Sequence, residues 1–166
     1  MCILSAVVCL LTGCSAFGPQ APLEDGLYLS YDFAGSTIRV TFKEIDGGQF
    51  QASVSPEGSQ ETVNKRLETT GGGIFEIEAL GPLWIPPSSV KAGGNAHGAR
   101  VSEVKRWKGW SVGVVKASFG AGAALRGEWY YEETTGFLVG GSKSTFMSGE
   151  GGGSHFVLKD TNLDGL

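Results

Sequence analysis

Beyond residue 14 the chain contains no cysteine, its three being Cys2, Cys9 and Cys14. The remainder can form no internal disulfide and offers neither a thiol nucleophile nor a thiolate metal ligand. Histidine is almost as scarce, with only His97 and His155. Charge is low and mixed: 13 Lys and Arg against 17 Asp and Glu, net −4. No basic excess of the kind that holds nucleic acid is present. Apolar residues spaced by three and four, the mark of an amphipathic helix, are also missing. Glycine is abundant, at 27 residues, but without the three-residue period of collagen. Hydrophobic residues make up 41% of the chain, which argues against global disorder.

The apolar stretch Ile3–Leu11 carries no charge and spans nine residues. A bilayer-crossing helix needs about 20, whereas the apolar region of a signal peptide needs about 7–15. It runs into Leu11-Thr12-Gly13-Cys14. This tetrad resembles the lipobox of bacterial lipoproteins: an aliphatic residue, a small residue, Gly or Ala, then Cys. The resemblance implies diacylglyceryl transfer to the Cys14 thiol and cleavage before it. It also implies a membrane partner reached through that lipid and a place in the cell envelope. Ser15 follows the cysteine, where Asp usually retains a lipoprotein in the inner membrane, so an outer-membrane location is favoured in a Gram-negative host. On this reading residues 1–13 are the signal peptide, 14–24 the lipidated cysteine and a proline-bearing tether, and 25–166 a single domain.

From Leu27 onward the pattern alternates at period two. Leu27, Leu29, Tyr31 and Phe33 form one face, as do Ile38, Val40 and Phe42, then Phe50, Ala52 and Val54, then Phe75, Ile77 and Ala79. Ala34-Gly35-Ser36, Asp46-Gly47-Gly48 and Gly71-Gly72-Gly73 read as turns between them. Glu61–Thr70 is polar and fits an exposed strand or a short helix. Leu83-Trp84-Ile85-Pro86-Pro87 interrupts the meander, because two prolines forbid a central strand. Strand-like runs resume through Trp110-Val112-Val114, Leu125-Gly127-Trp129-Tyr131, Phe137-Leu138-Val139 and His155–Lys159. The fold expected is all-β: an antiparallel meander of about eight or nine strands in a strongly curved sheet, barrel or half-barrel. Leu83 to Val139, with Trp-Ile-Pro-Pro and Gly-Glu-Trp-Tyr-Tyr-Glu-Glu-Thr-Thr-Gly, loosely resembles exported half-barrel domains of unknown function. That likeness implies a fold and no activity.

Several motifs suggest chemistry, each with a plainer reading beside it. His97 and His155 could join a metal site or a hydrolytic triad, but no Gly-x-Ser-x-Gly elbow accompanies them. His97 reads more simply as an exposed loop residue. Glu132-Glu133 and Glu76/Glu78 could pair as acid and base, yet turn positions and a wet strand face suit solvated charge. Gly140-Gly141-Ser142-Lys143 lacks the spacing of a phosphate loop. Asp160-Thr161-Asn162-Leu163-Asp164-Gly165 matches the first half of a calcium loop, but half a loop supplies too few oxygens. No catalytic residue, metal ligand or cofactor is therefore assigned.

Aromatic residues offer the remaining candidate site: Trp107, Trp110, Trp129, Tyr130 and Tyr131 concentrate in two adjacent strand-like runs. Trp110, Val112 and Val114 share one strand face, and Leu125, Trp129 and Tyr131 share a face of the next run. These faces either pack together as core or line a groove in which Trp110, Trp129 and Tyr131 hold an apolar or glycan ligand. The function expected is that of a non-enzymatic envelope lipoprotein, structural or binding, with a lipophilic ligand or an envelope protein as partner. A lipocalin-like carrier is the alternative, and an envelope hydrolase the alternative from another class. A ligand-holding interior would mark the carrier, and a histidine beside a carboxylate and a hydroxyl would mark the hydrolase.

Overall fold

The computed structural model describes residues 18–119, 125–145 and 154–166. The expected signal peptide and Cys14 lie outside the described residues. The fold is all-β. Four strands come first: β1 (Tyr28–Phe33), β2 (Ser36–Asp46), β3 (Gln49–Ser55) and β4 (Gln60–Asn64). A connector, residues 65–94, contains the two-residue strands β5 (Glu76–Ile77) and β6 (Gly81–Pro82) and one 3-10 turn, Pro87–Ser89. Then follow β7 (Asn95–Ala96), β8 (Ala99–Trp107), β9 (Trp110–Phe119), β10 (Leu125–Glu132), β11 (Leu138–Thr145) and β12 (Ser154–Thr161).

Ten of these strands form one antiparallel sheet in the order β4-β3-β2-β1-β12-β11-β10-β9-β8-β7. Each half of the chain is a meander, and the two halves meet where β1 pairs with β12. The sheet is open, with β4 and β7 at its edges, which fits a half-barrel rather than a closed barrel. Ten strands exceed the eight or nine expected, because β7 is too short to leave a period in sequence and the polar Gln60–Asn64 run is a strand. The Asp46-Gly47-Gly48 turn forms as read: Gly47 and Gly48 have φ of 55° and 83°, the left-handed pair of a tight hairpin.

The connector packs against one face of the sheet, here called the inner face. Leu67, Phe75, Ile77, Leu80, Leu83, Trp84, Ile85 and Val90 are all buried against it. A stretch bearing Pro82, Pro86 and Pro87 cannot join a regular ladder, so its buried carbonyls must find donors elsewhere. The sheet supplies them. Trp129 Nε1 donates to Leu80 O at 2.6 Å and Tyr131 Oη to Pro82 O at 2.9 Å. Leu138 N donates to Leu83 O at 2.9 Å, while Ile85 N of the connector donates the other way, to Gly136 O at 3.0 Å. In return Trp84 Nε1 donates to Thr135 O at 2.8 Å. Among the described residues no buried side-chain nitrogen or oxygen lacks a partner.

The end of the expected tether is part of this core. Ala21 and Leu23 are buried, and Ala21 N donates to Lys65 O at 2.6 Å. Small and proline-rich composition resembles a linker, but an apolar side chain beside an open strand end is stabilised by docking.

Candidate functional site

The opposite face of the sheet carries a set of partly buried aromatic residues. Register places Trp107 against Trp110, Tyr130 against Val114, and Tyr130 against Gly140. The Trp107 and Trp110 rings stack at 5.9 Å, and Trp107 meets the Tyr130 ring at 4.8 Å. Trp107 also lies over Gly140, three strands along in the sheet order, where an added Cβ would run into the indole. Val112, Val114 and Val115 are consequently all fully buried, although successive residues face opposite ways. The β8–β9 turn makes this possible: Lys108 and Gly109 take φ of 47° and 98°, and Arg106 Nη1 donates to Gly109 O at 3.1 Å.

A second tight turn faces it. Between β1 and β2, Ala34 and Gly35 take φ of 50° and 85°, and Gly35 N donates to Asp32 Oδ1 at 3.2 Å. Between the two turns lies a groove of about 510 Å³, lined among others by Asp32, Gly35, Trp107, Lys108, Tyr130 and His155. Its volume falls in the range of small-ligand sites, about 300–1,000 Å³. The floor is aromatic and the rim is charged. Lys105 Nζ stands 5.0 Å from the Tyr130 ring centre and Lys108 Nζ 5.6 Å from that of Trp107. Tyr130 Oη donates to Glu128 Oε2 at 2.8 Å, and Glu128 pairs with Lys116 at 3.1 Å. The bonds from Tyr130 and Lys116 hold the Glu128 carboxyl below its usual range. Burial, followed by the Glu128 bond, pushes the Tyr130 hydroxyl up to about 12.

His155 and Asp32 share this lining, an arrangement that an acid–base enzyme would use. The Asp32 carboxylate, however, is held by Lys159 Nζ at 2.8 Å as well as by Gly35 N, and the lysine bond lowers its pKa. The Tyr130 hydroxyl is given to Glu128. Asp32 and Tyr130 are thus matched to structural partners.

The three aromatic residues singled out from sequence do not form one surface. Trp129 and Tyr131 are completely buried on the inner face, bonded to the connector. Trp110 lies on the opposite face, against Trp107 and beside a smaller hollow lined by Lys159, Thr161 and Leu166. Register decides this: Trp129 pairs with Val115 and Tyr131 with Gly113, so the Trp110-Val112-Val114 face meets Tyr130 and Glu132 instead. The groove residues are Trp107 and Tyr130. The sequence signal for Trp107 was the basic and aromatic turn Lys105-Arg106-Trp107-Lys108-Gly109-Trp110, and that for Tyr130 the aromatic run Trp129-Tyr130-Tyr131.

The other motifs turn out to be structural. Glu132 is not a solvated turn charge but is 6% exposed, accepting from Thr134 N, Thr135 N and Thr135 Oγ1 at 2.7–2.9 Å. Glu133 does lie at the surface, where it accepts from Ser111 Oγ at 2.6 Å. Glu76 and Glu78 are exposed. His97 is half-buried rather than free in a loop, and its Nε2 donates to Trp84 O at 2.7 Å. Gly140-Gly141-Ser142-Lys143 runs within β11, with Lys143 Nζ 4.6 Å from the Phe33 ring centre. The calcium-like segment is a clasp on β1. Asp160 Oδ2 accepts from Tyr28 Oη at 3.0 Å, Thr161 Oγ1 donates to Tyr28 O at 2.7 Å, and Asn162 Oδ1 accepts from Tyr28 N at 2.9 Å. Among the described residues no three His, Cys, Asp or Glu side chains gather as a metal centre requires.

Compared with protein-family models, with curated proteins and with solved structures, the chain matches none.

Proposed function

We propose that the protein is a lipid-anchored, non-enzymatic β domain of the cell envelope that binds a partner in the groove between the β1–β2 and β8–β9 turns. The filled inner face carries this reading. A lipocalin-like carrier leaves the core-facing side of its sheet free for ligand, and here that face is covered by the 65–94 connector, bonded to Trp129 and Tyr131. The groove on the other face is where an apolar or glycan ligand fits, with Trp107 and Tyr130 as its floor. Aromatic rings with polar tips suit a ligand that is part apolar and part hydrated. The lipid anchor rests on Leu11-Thr12-Gly13-Cys14. At least two acyl chains on one cysteine are enough for stable attachment.

Two measurements test the two parts. Cells fed radioactive fatty acid should label the wild-type chain and not Cys14→Ser, which should also leave the membrane fraction; equal labelling refutes the anchor. Tryptophan fluorescence of the purified protein should change on titration with chitotriose or with anilinonaphthalene sulfonate, and Tyr130→Ala should weaken the change. A flat response to both refutes groove binding.

A further inference from the structure

The first described residue, Gly18, stands four positions after Cys14. A chain covers at most about 3.6 Å per residue, so a lipid on Cys14 holds Gly18 within about 14 Å of the bilayer surface. Little slack exists behind it, because Ala21 is already bonded to Lys65 and buried with Leu23. With Cys14 lipidated, the surface around Gly18 is therefore held close to the membrane. That surface has a definite composition. A Cβ on Gly18 would stand 3.4 Å from the Arg66 guanidinium, and Gly18 lines a hollow with Pro19, Arg66, Ile74 and Pro86. A neighbouring hollow joins Gln20 to Lys65, Arg66 and the Gly47–Gly48 turn, two residues from Ile45.

Among the described residues the exposed large hydrophobics are Ile45 at 55%, Ile74 at 39% and Val104 at 38%. One exposed isoleucine on its own means little. Ile74 lines the hollow of Gly18, and Ile45 precedes by two residues the Gly47–Gly48 turn that lines the hollow of Gln20. Arg66 lines both hollows and Lys65 the second, each with a long aliphatic stem, the side-chain type that places a charge at headgroup level above an apolar contact. Glu44 and Glu68 share the region, the latter accepting from Asn64 Nδ2, so apolar contact rather than net charge is the basis of the fit.

We propose that the Gly18 surface, with Ile45, Ile74, Lys65 and Arg66, rests on the lipid headgroups, a placement that depends on the lipidation of Cys14 proposed above. The groove then points away from the membrane. Strand β2 runs from Ser36, next to the groove turn Ala34-Gly35, to Asp46, next to the Gly47-Gly48 turn. Eleven residues in extended conformation put those turns roughly 33 Å apart.

The test uses the full mature lipoprotein in phosphatidylcholine–phosphatidylglycerol vesicles. Cys14 is its only cysteine and its thiol is taken by lipid, so one introduced cysteine can carry a fluorophore. Ile74→Cys, Ile45→Cys and Ser36→Cys all replace exposed side chains. Lipids bearing a nitroxide on the headgroup should quench the fluorophore at positions 74 and 45 several-fold more than at 36. Equal quenching at all three, or stronger quenching at 36, overturns the orientation while leaving the anchor intact. A product without the lipid mass, seen by mass spectrometry before any vesicle is made, overturns both.

Discussion

Trp129 and Leu80 are joined by a 2.6 Å hydrogen bond from the indole nitrogen to the main-chain carbonyl, and both residues are completely buried. The bond ties the sheet to the connector that fills its inner face. Trp129→Ala removes the ring and leaves the carbonyl unpaired, so a loss of about 3–5 kcal/mol is expected. Denaturant unfolding measures it, and a midpoint equal to wild type would show that the connector does not depend on this contact. Trp129→Phe, which keeps most of the ring and loses the donor, should cost less, about 1–3 kcal/mol.

On the other face, Gly140 admits the Trp107 ring. Gly140→Ala forces the indole aside and should destabilise by about 1–3 kcal/mol, the usual range for overpacking. Combined with Trp107→Ala, the same substitution should cost measurably less, because the closest clash is gone and only that with the Phe156 carbonyl remains. A double-mutant cycle in unfolding free energy decides. Strict additivity would mean that the two residues do not meet.

The clasp at the chain's end should matter through β1. Asn162 Oδ1 holds Tyr28 N, and Asn162 Nδ2 donates to Gly26 O at 3.2 Å. Asn162→Ala removes both and should cost about 1–2 kcal/mol, at the ordinary net value of such bonds. Hydrogen exchange at the Tyr28 amide should speed up in the variant. Unchanged protection of that amide would argue against the clasp.

Asp32 gives an expectation for pH. Its carboxyl is held below the ordinary 3.8 by the Lys159 bond and the Gly35 N–H. A group whose folded pKa is depressed stabilises the fold above its unfolded value, and that contribution is lost as pH falls through the folded value. The gap in stability between wild type and Asp32→Asn should therefore be full near neutral pH and close as acid is added below 3.8. The pair is exposed, so the gap is small and salt should shrink it. A gap that stays constant down to about pH 2 would exclude the mechanism.

Alternation at period two was enough to settle the fold class, since a strand with one buried face writes that face into every second residue. The tight turns were equally legible: Gly47 and Gly48 are there because a hairpin of that hand needs positive φ. Alternation also grouped Trp110 with Val112 and Trp129 with Tyr131 correctly. It could not say which groups oppose each other, because that depends on register between strands, and a shift of one residue exchanges the faces. Pairing Trp129 with Val115 put the two tryptophans on opposite sides of the sheet. The β1–β12 pairing and the folding of a proline-broken segment into the inner face belong to the tertiary structure alone. Each brings together partners whose fit is a property of three-dimensional packing and carries no local period. The groove is of the same kind, for it exists only where the Ala34-Gly35 and Lys108-Gly109 turns, more than 70 residues apart, come to border one surface.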